Sequence, residues 1–329
     1  METARPVSEG AEQILGKYFP VLDHGFVSLV DYMGTDACIE RAARVSYGYG
    51  TRQTNQTRGL LRYLRRHLHT TPSEMIELKF HCCMPMFIAR QWIRHRTANV
   101  NEYSGRYSLM PMLFYTPSPE QLQFQSKRNN QGRSGQVVAD DQYGSAVERW
   151  NGIRERSREA YEWMTSQEIA RELARIDLPL STYTQWYWKI DLHNLLHFLT
   201  LRVDSHAQWE IQEFGRVMAG MLKAVAPISY EAWIDYDVCG DRLSRMELDA
   251  LRKLISIDGD SLVAQPGSLD ASGQEQLGLS KRERSELLEK LLPSEKPDFE
   301  LDLSQAKPPT WFAERFADAV PKVDTKPQE

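Results

Sequence analysis

The hydrophobic positions change period several times along the chain. The run "FVSLVDYMG" at 26–34 is dense in β-branched and aromatic residues and ends at glycine, which predicts a strand closed by a turn. In "TRGLLRYLRRHLH" (57–69), Leu60, Leu61, Leu64 and Leu68 recur at helical spacing, so a helix with one apolar face is expected, stopped by Pro72. "MIELKFHCC" (75–83) alternates instead, with Ile76, Leu78, Phe80 and Cys82 facing one way and Glu77, Lys79 and His81 the other. That is the pattern of a strand with one buried face.

After Pro85 the period turns helical through Ile93, and "SGRYSLMP" (104–111) reads as a short strand. Residues 116–141 are rich in Pro, Gln and Gly and predict a long loop, a kind of segment that tends to be functional. A long helix is expected over 143–170, with Val147, Trp150, Tyr161 and Met164 toward the core. Further helices are expected at 191–202 and 203–225, the second carrying Val203, Ala207, Ile211, Met218 and Leu222 along one side. The aromatic stripe Tyr183, Trp186, Tyr187 and Trp188 reads as core rather than as a stacking platform. Beyond residue 240 the apolar density falls, and two capping boxes, Ser244 with Glu247 and Ser280 with Glu283, mark short helices. The Pro-, Lys- and Glu-bearing tail after Pro293 is expected to be loosely held.

Composition narrows the classes. The chain has 329 residues, enough for one large domain or two modest ones, with 41% hydrophobic and 26% charged residues. A net charge of −5 and a pI near 6.0 exclude a general nucleic-acid binder, whose affinity needs excess Lys and Arg, so any anion site must be local. The start "METARPVSEGAEQ" has no apolar signal core, and the stretch "HCCMPMFIA" is far shorter than the roughly 20 residues that span a bilayer. Cys38, Cys82, Cys83 and Cys239 show no C-x-x-C spacing, and a reducing cytoplasm is the expected compartment.

Against this acidic background, "RHRTANVNEYSGRY" (94–107) concentrates basic groups at the end of a helix, with Arg90 one turn before Arg94. A helix C-terminus favours cations, which gives a solvated helix end as one reading. The alternative is an anion site in which Ser104, the Gly105 main chain and Arg106 add donors, arginine being matched to phosphate oxygens. Neither a P-loop nor a Rossmann fingerprint is present. His193 and His197 have metal-pair spacing without the Glu of H-E-x-x-H, and nearby Asp204 and His206 do not complete a strong set, so cleft lining or packing is the better reading. Ser104 lacks a G-x-S-x-G frame and suits phosphate contact better than nucleophilic attack.

"RHR", seven residues, then Ser104 resembles the signature of flavin-dependent thymidylate synthases. "RAARVSYG" (41–48), "HTTPSE" (69–74), "FIARQWIRHR" (87–96), "NEYSGRY" (101–107), "LARIDLPL" (173–180) and "LRVDSHAQWEIQ" (201–212) agree in order and spacing, from about Gly25 to Ala232. The resemblance implies an α/β fold of the α+β type, a thymidylate synthase-complementing fold with a central sheet and helices, assembled as a homotetramer with shared active sites. It implies a catalytic domain over 25–235 between an N-terminal extension (1–24) and a C-terminal extension (236–329). The implied reaction is methylation of dUMP to dTMP, with FAD as cofactor and NADPH and 5,10-methylenetetrahydrofolate as co-substrates.

By the same resemblance, dUMP contacts fall on Gln91, Trp92, Ile93, Arg94, Glu102, Tyr103, Ser104, Gly105, Arg106, Arg175 and Arg202. Arg202 has the catalytic role of favouring the ionised uracil ring. FAD contacts fall on Thr71, Arg94, His95, Arg96, Glu102, Asp191, Leu192, His193 and His197, with His69 near flavin and folate. The implied grouping takes Arg175 and Gln91–Arg94 from one chain and Ser104, Arg106 and Arg202 from its neighbour. Met75 replaces a histidine common in the family, and Asp191 and His197 stand where some relatives have Asn. Two other classes compete: a nucleotide- or RNA-binding protein using "RRHLH" and "RQWIRHR", and a metal hydrolase built on His193 and His197.

Overall fold

A computed structural model of the chain describes residues 5–45, 57–127, 132–258, 261–264, 278–293 and 295–316. Its strands, in chain order, are Tyr18–Val21 (β1), Gly25–Met33 (β2), Glu77–Pro85 (β3), Asn99–Glu102 (β4), Gln123–Gln125 (β5), Arg133–Val137 (β6), Tyr183–Asp191 (β7), Ile255–Asp258 (β8) and Ser261–Ala264 (β9). Five form one antiparallel sheet in the order β1-β2-β3-β7-β4, while β5 and β6 pair as a separate hairpin. The helices that pack around the sheet include Glu9–Ile14 (α1), Asp36–Val45 (α2), Thr57–Arg66 (α3), Met86–Trp92 (α4), Asp140–Ser166 (α5), Arg171–Ala174 (α6), Leu192–Arg202 (α7), Trp209–Val225 (α8) and Pro227–Trp233 (α9).

Register assigns the two faces of the sheet. Phe80 pairs with Trp188 and Cys82 with Trp186, while His81 pairs with Tyr187 and Cys83 with Gln185. Opposed residues share a face, so Phe80, Cys82, Trp186 and Trp188 point together toward the helices, where Trp92 meets both tryptophans edge-on, Phe198 lies tilted on Trp188 and stacks on Trp92, and Phe214 packs edge-on against Trp92. The aromatic stripe is therefore core, apart from Tyr187, which stays 47% exposed.

On the other face of β3 Glu77 and Lys79 are partly exposed in ion pairs, as the alternation predicts, but the face is covered further along the strand. His81 and Cys83 are buried there because the helix Thr310–Arg315 lays Phe312 against Tyr18, Phe26 and His81. Within the tail after Pro293, the stretch from Phe299 to Phe316 is thus packed on the core rather than loosely held. Phe299 N–H donates to the Tyr230 hydroxyl (2.9 Å), and Trp311 Nε1 donates to the His24 carbonyl (3.1 Å). A local reading sees only the charges that face solvent; the apolar residues between them find their partners two hundred residues away.

Other expectations are corrected in the same way. The described part of the N-terminal segment, residues 5–24, supplies β1 and also α1, whose Gly10 lies so close to α8 that a Cβ would meet the Ala224 carbonyl oxygen. The helix from Thr57 ends at Arg66, before Pro72. Leu68 takes φ +58°, and His69 N–H reaches back to the Leu64 carbonyl (2.9 Å), a Schellman closure that leaves Leu68 exposed. Residues 104–107 form a turn, and the strand at this place is β4, just before it. The stretch 116–141 contains the β5–β6 hairpin, whose exposed strands have no apolar alternation to betray them. The helix expected from Val203 begins only at Trp209; Val203 and Ala207 precede it, and Asp204 folds back on His206 N–H (2.7 Å).

The described residues divide into two compact units, one running to Ala232 and resuming at Phe299, the other spanning Trp233–Asp298. In the second, Arg245–Leu254 (α10) and Lys281–Leu291 (α11) both start at the expected capping boxes. Among the described residues no helix is long and apolar enough to cross a membrane. Ser46–Gly48 of the "RAARVSYG" segment lie outside the described residues.

Candidate active site

Three groups of candidate residues emerge. The first lies where α4 ends against α7. Trp92 is fully buried and stacks on Phe198 (5.0 Å between ring centroids), so its indole is a core group and only its main chain can serve a ligand. Ile93 closes the helix with N–H to Ala89 O (2.9 Å), which turns the following residues outward. Arg94 and Arg96 are exposed and make no side-chain hydrogen bond or ion pair among the described residues.

His95 between them points inward and is only 9% exposed. Its ring lies 5.6 Å from His197 and 5.5 Å from Phe198. Burial, then the neighbouring His197 and Arg202, push its pKa down to about 4, with Asp191 opposing weakly. The "RHR" run is therefore two fixed charges flanking a neutral imidazole, not three cations.

α7 carries the rest of this group. Asp191 caps it, accepting from Asn194 N–H (2.9 Å) and Asn194 Nδ2 (2.7 Å), so its carboxylate is committed to the helix. Leu192 is fully buried and its N–H donates to Ile76 O (2.8 Å), so it ties the start of α7 to the segment before β3. His193 Nδ1 is buried without a partner. Among the described residues no third His, Cys, Asp or Glu gathers with His193 and His197 as a metal set. His69 and Thr71 are exposed on the connection after α3, His69 near Tyr63 (6.1 Å between rings).

At the far end of α7, Arg202 is half-buried over the Phe198 ring (5.7 Å), and Nη2 donates to the Gln91 carbonyl (3.3 Å). Its Nε is buried with no partner, and burial lowers its pKa. Arg202 and Gln91 line a cavity of about 1180 Å³, walled opposite by Gln123, Phe124 and Arg133 of the hairpin.

The second group is the turn after β4. Glu102 Oε1 accepts from Thr184 Oγ1 (2.7 Å), Tyr103 OH donates to Leu109 O (2.7 Å), and Ser104 Oγ accepts from Arg106 N–H (3.3 Å). Gly105 is buried against Arg175, and Arg106 pairs with Glu172 (2.8 Å) one turn before it. Within one chain Arg175 belongs with Gly105 and Arg106, and Arg202 belongs with Gln91. The Arg202 cavity is lined by none of Ser104, Gly105, Arg106 or Arg175.

Sequence reasoning passed over the third group: Gln208, Glu210 and Arg133. Glu210 is 2% exposed, and a buried carboxylate in the first turn of α8 is visible only once that helix start is known.

Residues 28–228 match the family described as thymidylate synthase complementing protein. A flavin-dependent thymidylate synthase of Ruegeria pomeroyi is 49% identical over 273 residues, covering 82% of this chain and 89% of that protein. One of Wolbachia pipientis is 47% identical over 286 residues, covering 87% and 96%. Among solved structures, a UMP/dUMP methylase from Streptomyces cacaoi bound with 5-Br UMP superposes with a TM-score of 0.60 at 31% identity, over 67% of this chain and 98% of that one. The desolvated arginine, the paired cations around a neutral histidine and the serine-glycine-arginine turn all fall inside the matched span, and the chain belongs to the thymidylate synthase complementing proteins, the family of the flavin-dependent thymidylate synthases.

Proposed function

We propose that the chain methylates dUMP to dTMP, taking the carbon from 5,10-methylenetetrahydrofolate and reducing equivalents from NADPH by way of bound FAD. The observation that carries this reading is Arg202, a guanidinium half stripped of water with an N–H that has no partner. Such a group favours a negatively charged oxygen, and being unable to lose its proton it remains a fixed charge. A uracil ring gains negative charge as its carbon 5 becomes nucleophilic, and Arg202 is suited to hold that charge.

The residues near His95 fit a flavin dinucleotide. Arg94 and Arg96 carry charge without partners among the described residues, which suits a diphosphate, and the orphaned His193 Nδ1 suits a polar ligand edge. Thr71, Arg94, His95, Arg96, Glu102, His193 and His197 would hold FAD, with Asp191 and Leu192 bordering it at the start of α7. When bound, the flavin supplies the hydride chemistry. His95, held neutral, orients by hydrogen bonding rather than by charge. His69 borders flavin and folate.

The nucleotide site is shared. Ser104, Gly105, Arg106 and Arg175 of one chain take the phosphate, while Gln91 and Arg202 of a neighbour take the base. Exposed apolar side chains in the phosphate-side segments, Tyr107, Leu173, Ile176 and Leu180, support association into the homotetramer. A cytoplasmic setting accords with four free cysteines.

The test is direct. Purified protein supplied with FAD, dUMP, methylenetetrahydrofolate and NADPH is expected to form dTMP, and its flavin absorbance to bleach with NADPH alone. A protein that binds no flavin and forms no dTMP removes the reading.

A further inference from the structure

Beside the Arg202 cavity a chain of polar groups runs from the hairpin to Gln91, and its order is dictated by chemistry. Glu210, almost wholly buried, is paired with Arg133 of β6 and accepts from the Tyr115 hydroxyl (3.0 Å). Arg133 is itself held by Gln121 (2.6 Å) and lies 5.9 Å from the Trp209 ring. The other carboxylate oxygen of Glu210 accepts from Gln208 Nε2 (2.9 Å). Gln208 Oε1 in turn accepts from Gln91 Nε2.

A carboxylate paired with a guanidinium can only accept hydrogen bonds. Gln208 must therefore turn its NH₂ toward Glu210 and its oxygen toward Gln91. Gln91 must then turn its own NH₂ toward Gln208, which leaves its Oε1 free as an acceptor on the cavity wall. Amides can present either end to a ligand; here the buried charge removes the choice.

We propose that Glu210, acting through Gln208, fixes the hydrogen-bond polarity of Gln91 so that the site selects a pyrimidine with a ring N–H, as in uracil, over one with a ring nitrogen acceptor, as in cytosine. The inference rests on the nucleotide reading of Gln91 and Arg202 given above. Gln91 Oε1 accepts the imide N–H of uracil. Against cytosine the same oxygen faces a lone pair, and a site built to hydrogen-bond one edge rejects a ligand with the wrong edge strongly. Gln208 and Glu210 are positioning residues, since in this scheme neither touches the base.

The experiment measures dissociation constants of dUMP and dCMP for the FAD-loaded enzyme by titration calorimetry. Wild type is expected to prefer dUMP by at least a hundredfold. Gln208→Ala, at an exposed position that leaves the fold intact, frees the Gln91 amide to rotate. The preference should fall by tenfold or more, through weaker dUMP binding and stronger dCMP binding, while flavin content stays that of wild type. Glu210→Gln combined with Arg133→Gln replaces the ion pair without leaving an orphan charge and should act in the same direction. Equal loss of both nucleotides, or an unchanged preference in folded Gln208→Ala, overturns the polarity relay while leaving the enzyme a dUMP methylase. Wild type that binds neither nucleotide overturns the parent reading as well.

Discussion

Gly105 packs directly on Arg175 of its own chain: a Cβ at Gly105 would lie 3.1 Å from Arg175 Cδ and 2.8 Å from Met110 Sδ. Gly105→Ala therefore displaces either the turn or the arginine, at a cost of about 1–3 kcal/mol. The expected result is a tenfold or greater loss of dUMP affinity with flavin retained, measured by calorimetry. Wild-type affinity would separate this turn from the nucleotide.

The same contact decides which mutants can rescue one another. Arg175→Ala and Arg202→Ala subunits, each inactive alone, should regain part of their activity in mixed oligomers, because in the proposed assembly each site draws these two arginines from different chains. Arg106→Ala with Arg175→Ala should show no recovery, since both arginines sit beside one turn of one chain. Rescue by the second pair and none by the first would reverse the assignment.

Arg202→Ala is expected to abolish dTMP formation in a folded, flavin-bearing protein. Arg202→Lys should also fail largely, because lysine lacks the planar fork that spans the Gln91 carbonyl and a ligand at once. Turnover within tenfold of wild type in either variant would remove Arg202 from the mechanism.

None of the cysteines is expected to be needed for chemistry. Cys82 and Cys83 are buried, and burial drives both thiols far toward the protonated form, the opposite of what a nucleophile requires. Cys82→Ala and Cys83→Ala should lower Tm through lost packing and still make dTMP. Loss of turnover in a folded single variant would restore a thiolate mechanism.

The depressed pKa of His95 has a thermodynamic sign. Folded, it titrates at about 4, while the unfolded chain titrates near the ordinary value of about 6.5. Between these values the unfolded state binds the extra proton, so stability contributed at neutral pH is lost as pH falls from about 6.5 toward 4. On going from pH 7 to pH 5 the loss is on the order of 1–2 kcal/mol. His81, also depressed by burial, adds in the same direction. His95→Asn should flatten the acid limb of Tm against pH; an unaltered limb would mean that His95 is already charged or already exposed.

Much of the site was legible because its residue types are chemically costly to place. Two arginines around a histidine, then Ser104-Gly105-Arg106, mark a candidate anion site, and the alternation of Ile76, Leu78, Phe80 and Cys82 announces β3, because a strand repeats every two residues whatever covers it. The capping boxes at Ser244 and Ser280 were equally local, each a closed exchange of two hydrogen bonds across three residues. What only tertiary structure decided are the relationships that cross the chain. Nothing in the sequence states that Phe312 covers His81, that His95 turns inward beside His197 and stays neutral, or that Arg175 sits with Gly105 and Arg202 with Gln91. Nor does it show that Glu210 governs an amide more than a hundred residues earlier. Periodicity and capping are set within a turn or a strand, whereas burial, pKa and hydrogen-bond polarity are set by whichever groups the fold brings within a few ångströms, and those groups are distant in sequence.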